Sequence, residues 1–450
     1  MPPRIIPVLD RLKQAPTECL TPEAIEAACR QEHYRWRERL LGPVTTIYLF
    51  LLQILHGNTA CQHVVHFGVW TFTSNAYCQA RKRLPLRVYH RLLEQIAAAV
   101  RKTTEKTSRW FGHRVWIVDG SSFSMPDEPE LQAKFGQPSG QSAGCGFPVA
   151  KWLALFDVAT GMLLRSSTSP LRSHEMAHCS GISEDLEPGD VVLGDRGVSS
   201  YAHLALLVQR SLLAVLRIHQ KQIVDFTPGR PHAPRGPHNK DSAGLPRSRW
   251  VLAQGPSDQI VVWFKPKQKP RWMSAEDYAA LPEEITVREL RYRVETPGFR
   301  VSAVTLVTTL LEAEIYPAAA LADLYFRRWQ VEINFKHIKT TMKMDVLHCK
   351  TVEGVLKELA VFALIYNLVR TVMVQSGQVQ GVAPERISFI DTIRWLIGVE
   401  GNGEDLTVLA VNPSRPGRVE PRVVKRRPKQ YTRMTKPRSV LRKSLPAKGL

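Results

Sequence analysis

Three short aliphatic runs constrain this chain most: RVWIVDG at 114–120, DVVLGDRG at 190–197 and LLAVLRI at 212–218. Each is too short for a helix and rich enough in Val, Ile and Leu to read as a strand. The first ends in Asp119 and the second in Asp195. Between the second and third, SSYAHLALLVQRS reads as a helix with Ser199 or Ser200 at its N-cap. Upstream, VAKWLALFDVATGMLLRSS reads as two strands about an Ala-Thr-Gly turn, followed by a helix-like stretch near EMAHCSGISEDL. Two antiparallel strands followed by strand–helix–strand predict an α/β fold, a mixed sheet with helices against it.

The flanks differ in character. Residues 1–107 read as a helical N-terminal region, because EAIEAACRQEHYRWRERLL and LRVYHRLLEQIAAAVRK space apolar residues three and four apart. Between them, FTSNAYCQARKRL offers Ser74 as the N-cap of a short basic helix carrying Gln79, Arg81, Lys82 and Arg83. That helix is either laid on DNA or simply solvated. The α/β core begins at 108–218 and is interrupted at 219–312. There a Pro/Gly-rich basic loop precedes DQIVVWF, ITVRELRYRV and FRVSAVTLVTTL, a β-rich insertion. Helix returns at Pro317, a favourable first-turn residue, and 313–400 completes the core with the packing helices KELAVFALIYNLVRTVM and ERISFIDTIRWLIGV.

Residues 401–450 form a basic C-terminal arm. Sixty-one Lys and Arg against 41 Asp and Glu leave a net charge of +20. Residues 413–450 alone hold 13 of the basic residues and one acid, Glu420. Such clustering favours a polyanionic partner over a merely solubilising tail. A membrane is the weaker partner, because the longest apolar run, Ile47–Leu55, contains Gln53 and is too short to span a bilayer. MPPRIIPVLDRLKQ lacks the hydrophobic region of a signal peptide. Seven cysteines without a CxxC pair suit a reducing compartment. The glycines of GQPSGQSAGCG form no nucleotide-binding loop, so no nucleotide cofactor is expected.

The stretch YFRRWQVEINFKHIK, residues 325–339, carries the most specific pattern. On an ideal helix Tyr325, Arg328, Glu332 and Lys339 fall within roughly 60° of one another, with Lys336 beside them. Phe326, Trp329 and Ile333 flank that seam on one side, Val331, Phe335 and Ile338 on the other, so both flanks are expected to pack. Arg328–Glu332 could also be only an i,i+4 pair. Three acids at two strand ends and on one helix repel one another, and divalent cations would remove the problem.

These residues fit Y-x2-R-x3-E-x6-K at every fixed position. With WIVDGSSFSMPD and VVLGDRGVSSY upstream, the chain resembles the DDE transposases of the bacterial insertion-sequence-four family over roughly residues 110–430. FGQPSGQSAGCGFP, MKMDVLHCKT and ELAVFALIYNLVR add to the likeness. The resemblance implies a ribonuclease-H-like core with a β-rich insertion. It also implies an Asp119, Asp195 and Glu332 triad holding two Mg²⁺ ions, with Mn²⁺ able to substitute. The activity implied is cut-and-paste transposition: cleavage at the inverted-repeat ends of the element and strand transfer into target DNA. Tyr325, Arg328 and Lys339 would grip double-stranded DNA, with Lys336 and Arg196 near them. A homodimer on DNA, in the bacterial cytoplasm and associated with the nucleoid, is expected. An insertion-domain tryptophan stacks on an extruded base in related enzymes; Trp250, Trp263 and Trp272 are candidates, and Trp263 inside VVWF reads better as core.

Two other readings compete. An inactive or domesticated DNA-binding copy would keep the fold without cleavage. His174, Glu175 and His178 spell HExxH, the zinc metalloprotease motif, but no apolar run leads into it and Gly181 interrupts the helix pattern. Asp127, between Pro126 and Pro129, reads as a turn residue, and Asp323 and Asp345 as solvated charges.

Overall fold

The computed structural model describes residues 19–67, 71–104, 109–173, 176–231, 244–294, 303–398, 406–413 and 434–444. Nine strands form one mixed sheet in the order β3-β2-β1-β4-β5-β9-β8-β7-β6. They are β1 (Val115–Ser124), β2 (Val149–Asp157), β3 (Leu163–Pro170), β4 (Val191–Gly194), β5 (Leu213–Arg217), β6 (Arg247–Gly255), β7 (Asp258–Phe264), β8 (Glu284–Arg293) and β9 (Ala303–Thr308). β1, β4 and β5 run parallel, and every other pairing is antiparallel. A parallel pair needs a crossover, and α1 (Tyr201–Gln209) supplies it between β4 and β5. Its N-cap is Ser200, whose hydroxyl accepts the amide of His203. The four strands drawn from 247–308 extend the same sheet through the β5–β9 pairing.

Alternation along the strands sorts the core onto two faces. Trp116, Val118, Val192, Ala214 and Leu216 face α1 in one cluster, whereas Val115, Ile117, Val191, Leu193 and Val215 face the longer helices in another. The parallel register then stacks side chains in rows: Val115, Val191 and Leu213 form one, and Ile117, Leu193 and Val215 the next. One further position along come Asp119 on β1 and Arg217 on β5, with Asp195 directly after the end of β4 between them.

α2 (Ala318–Phe326), α3 (Gln330–Lys336) and α4 (Val352–Gln380) cover that face. α4 is buried on nearly all sides along its 29 residues, so it carries its own polar bonds into the core. The Asn367 side chain donates to the Leu163 carbonyl at 2.8 Å and accepts its amide at 2.9 Å. The Tyr366 hydroxyl and the Arg370 guanidinium reach the carbonyls of Gly161 and Thr160 in the β2–β3 turn. Gly161 holds a positive φ of 69° there, which a side chain would strain. Helix Leu86–Thr104 packs on α4 and carries the N-terminal helices with it.

Several sequence expectations shift in detail. β1 does not end at Asp119: it continues to Ser124 along its antiparallel partner β2, while its parallel neighbour β4 stops at Gly194. Thr73, not Ser74, caps helix Ser74–Arg83, its hydroxyl accepting the Ala76 amide. Pro317 is the residue before α2 rather than part of it. Arg81 belongs neither to a DNA-facing row nor to a solvated face. Its guanidinium lies 3.6 Å from the Phe50 ring centroid and donates to Gln53 and to Cys349, tying the N-terminal helices to the chain before α4.

Candidate active site

Asp119 on β1 and Asp195, the first residue after β4, each follow the parallel Val118–Gly194 pair by one residue, and adjacent strands lie about 4.8 Å apart. Gly194 has no room for a side chain, because a Cβ there would collide with Val198 and Leu216. The chain turns at once, with the Gly197 amide donating to Asp195 Oδ1 at 2.7 Å. Asp119 accepts the Gly120 amide on Oδ1 at 2.8 Å and pairs through Oδ2 with Arg328 Nη1 at 3.0 Å.

The electrostatics tie in the third acid. Burial pushes the Asp119 carboxyl up to about 6, and the charges of Asp195 and Glu332 push the same way. Arg328 and the Gly120 amide pull it down without prevailing. Glu332 is exposed on α3. Burial opposes the charge of Arg328, but Tyr325, Asp119, Asp195 and Glu332 outweigh it and hold the guanidinium above its ordinary value. Asp195 and Glu332 are therefore both within electrostatic reach of Asp119, and all three acids act on Arg328.

The signature stretch is not one ideal helix. α2 leads into a 3₁₀ turn at Arg327–Trp329, then α3, then a π-helical turn at His337–Thr341. Such irregular turns recur at functional sites. Here they alter the angular spacing that an ideal helix assumes. Tyr325 is buried in the core, with Arg328 5.8 Å from its ring centroid, and burial raises its hydroxyl above the usual phenol range. It supports Arg328 from beneath. Lys339 Nζ lies 3.3 Å from Asp345 Oδ1, so Asp345 is a paired charge. Lys336 is exposed, and Arg196 Nη1 reaches Gln220 Oε1 at 3.4 Å.

Only one of the two expected packing stripes packs. Val331, Phe335 and Ile338 are buried, whereas Phe326, Trp329 and Ile333 are 57%, 50% and 45% exposed. A helix resting on a sheet by one face can bury one stripe of about 100°, and the second stripe here faces outward beside the Glu332 seam.

The remaining candidates separate. Trp263 is core, its indole donating to Glu289 at 2.8 Å. Trp272 packs partly buried against the α1 side, and Trp250 is half-buried on β6. Asp127 accepts from Gln132 at 2.7 Å and pairs with Arg438 at 3.3 Å, a structural role that joins the turn to the segment 434–444. Asp323 is exposed. His174 and Glu175 lie outside the described residues; His178 is half-buried on helix Met176–Ile182. Sequence reasoning missed Arg217 altogether, although it closes the strand LAVLR as Asp119 and Asp195 close their aliphatic runs.

Carboxylate oxygens suit a hard divalent cation. The raised Asp119 carboxyl, pressed by two further acids, is what a cation would relieve. As the side chains stand, no three His, Cys, Asp or Glu among the described residues converge closely enough to hold one ion, and Arg328 occupies Asp119 instead.

Acids and arginines gathered on parallel strands, at and beside their carboxyl ends, suit a phosphate-bearing substrate. Comparison with known proteins makes the class definite: a DNA transposase. The family model "Transposase DDE domain" matches residues 110–368, and the chain belongs to that family, among the DDE transposases of insertion-sequence-four type. It is 26% identical over 376 residues to the transposase InsG for insertion sequence element IS4 of Escherichia coli (strain K12), covering 79% of this chain and 77% of the relative. It is 22% identical over 258 residues to the transposase for insertion sequence element IS231C of Bacillus thuringiensis subsp. berliner, covering 52% of this chain and 53% of that one. A solved piggyBac transposase synaptic complex with hairpin DNA overlays with a TM-score of 0.42 and 10% identity, over 87% of this chain and 79% of that chain. The mixed sheet with helices packed against it is the α/β arrangement expected from the sequence. No helix of the described residues is long and apolar enough to cross a membrane.

Proposed function

We propose that this protein is a cut-and-paste transposase, cleaving phosphodiesters at the inverted-repeat ends of its own element and joining them to target DNA. The observation that carries this reading is the electrostatic gathering of Asp119, Asp195 and Glu332, with the Asp119 carboxyl pushed up to about 6. These three acids would hold divalent metal, two Mg²⁺ ions or Mn²⁺ in their place. Bound there, the metal would neutralise charge on the attacking and leaving oxygens of an in-line displacement. Water attacks first and frees a 3′-hydroxyl, which then attacks a second phosphodiester.

The chain's own side chains position the DNA. Arg328 spends one Nη on Asp119 and keeps further donors for a phosphate oxygen, with geometry that a lysine would lack. Tyr325 holds it from below. Lys336, Lys339 and Arg196 add cationic contacts around the same seam. Double-stranded DNA, both terminal repeats and target, is the partner, and a homodimer would pair two ends.

The test is incubation of the purified protein with DNA carrying the gene's native flanks, in Mg²⁺ or Mn²⁺, beside an Asp195→Ala control. Metal-dependent breaks at the flanking repeats, absent from the control, are expected. Specific binding without breaks would replace this reading with that of an inactive binder. Neither breaks nor binding would overturn it.

A further inference from the structure

The polar row on the sheet does not stop at the two aspartates. Asp195 follows the Gly194–Leu216 pair of β4 and β5 by one residue, so its neighbour on β5 is Arg217. Asp119 on β1 and Arg217 on β5 thus flank Asp195, the first residue after β4, on the face that α2 and α3 cover. Arg217 is half-buried, its Nε is sequestered without a partner, and the Arg196 Nε is sequestered likewise. No carboxylate pairs with Arg217 among the described residues. The groups acting most strongly on it are two cations, Arg196 and Arg328, and two phenols, Tyr325 and Tyr292. After burial, the cations depress its basicity. Tyr292 reaches the same edge from β8, its hydroxyl held up to about 12 by burial and then by Tyr325, so it remains a neutral donor.

Arg217 beside Arg196, half-buried and with no carboxylate paired to it among the described residues, is an unfavourable arrangement in an empty protein. Partial burial disfavours each charge, and like charges add to the cost. An anion reverses both terms. We propose that Arg217, with Arg196 and Tyr292, forms a second phosphate seat, which holds the DNA backbone phosphodiester adjoining the one at Asp119 and Asp195. Arg217 is then a positioning residue. The inference rests on the transposase reading and adds to it where the DNA strand lies: across the middle of β1 and the carboxyl ends of β4 and β5, with the bond to be cut over the acids and its neighbour over the arginines.

Duplexes carrying the gene's native flanks, bound in EDTA so that no chemistry runs, test this. Single neutral methylphosphonates are stepped through the positions on either side of the cut. Wild type is expected to lose affinity about ten-fold or more at the position seated by Arg217. Arg217→Ala is expected to bind the unmodified duplex correspondingly less well, to be indifferent to that one substitution, and to show a salt slope smaller by about 0.9. Arg217→Lys should restore the slope. The melting temperature of Arg217→Ala should not fall, since the arginine has no hydrogen-bond or ion-pair partner among the described residues to lose; a fall would mark a structural role and overturn the proposal. An Arg217→Ala protein with wild-type salt slope and methylphosphonate profile would also overturn it, while leaving the transposase reading intact. Failure of wild type to bind the flanks at all would remove that reading and this inference with it.

Discussion

Because the Asp119 carboxyl is held near 6, divalent metal should compete with a proton there in an accessible pH range. If one proton must leave for the cation to bind, the apparent Kd scales with 1 + 10^(6 − pH), which is about 1.1 at pH 7 and about 11 at pH 5. Metal should therefore bind about ten-fold more weakly at pH 5 than at pH 7. A carboxyl at its ordinary 3.8 would change the Kd over that interval by only about 6%. Free Mn²⁺ followed by electron paramagnetic resonance, without DNA, measures this directly. Asp119→Asn should abolish the dependence. Arg328→Ala removes the guanidinium that draws the carboxyl down, so its inflection should move above 6. A Kd flat from pH 5 to 7, or an inflection that falls on loss of Arg328, would refute the reasoning.

The same shift has a stability consequence in metal-free protein. A carboxyl raised on folding binds its proton more tightly in the folded state. Its contribution is fully present below 3.8 and is lost as pH rises through about 6. The Asp119 side chain is 16% exposed, so screening is modest and the loss approaches about 3 kcal/mol. Saturating Mg²⁺ at pH 7 should recover part of it as a higher melting temperature.

Three further outcomes are expected. Glu332→Ala should abolish strand cleavage while leaving retention of DNA in a gel-shift assay largely intact; equal loss of both would count against a catalytic role. Glu358 is buried and accepts from the His348 and Cys349 amides and from the Asn58 side chain. Glu358→Ala should therefore cost about 3 kcal/mol in urea unfolding, and a cost under about 1 kcal/mol would mean those donors find other partners. Deleting residues 413–450 should weaken DNA binding and flatten its salt dependence, because released counterions follow the phosphates neutralised; an unchanged slope would mean that the arm does not touch DNA.

The parts of this fold that declare themselves in the sequence are those whose physics is local. Aliphatic runs gave away β1, β4 and β5, and the 3- and 4-residue periodicity gave away helix Leu86–Thr104. β6 escaped because its alternation is weak: Arg247, Arg249, Val251 and Leu252 all lie exposed on an edge strand. The capping shift from Ser74 to Thr73 is one residue between two capable side chains, decided by which backbone is extended; Thr73 has φ −92° and ψ 151°. Arg81 could not be placed from sequence, since its aromatic and sulfur partners come from remote segments. Asp119, Asp195 and Glu332 could be singled out as residues, but the parallel register that sets two of them side by side is a property of strand pairing. Arg217 shows the difference: an arginine at a strand end looks like any solvated terminus until the register puts it beside Asp195.

That register also explains why acids and arginines can share so small a space. In a partly buried site, an effective dielectric of about 20 gives unit charges about 5 Å apart roughly 3 kcal/mol of interaction, favourable or not. Asp119 beside Asp195 is unfavourable by that measure, and so is Arg217 beside Arg196. Arg328 belongs to both groups: it pairs with Asp119 and acts on Arg217. It therefore relieves the acids while crowding the arginines. The two imbalances have opposite sign, so a single neutral ligand cannot relieve both, whereas a phosphodiester backbone with divalent cations relieves each with its own component. Cations answer the acids, phosphates answer the arginines, and Arg328 is freed to change partner. Occupation of either half should accordingly strengthen the other, so that divalent metal raises DNA affinity in wild type by more than it does in Arg328→Ala.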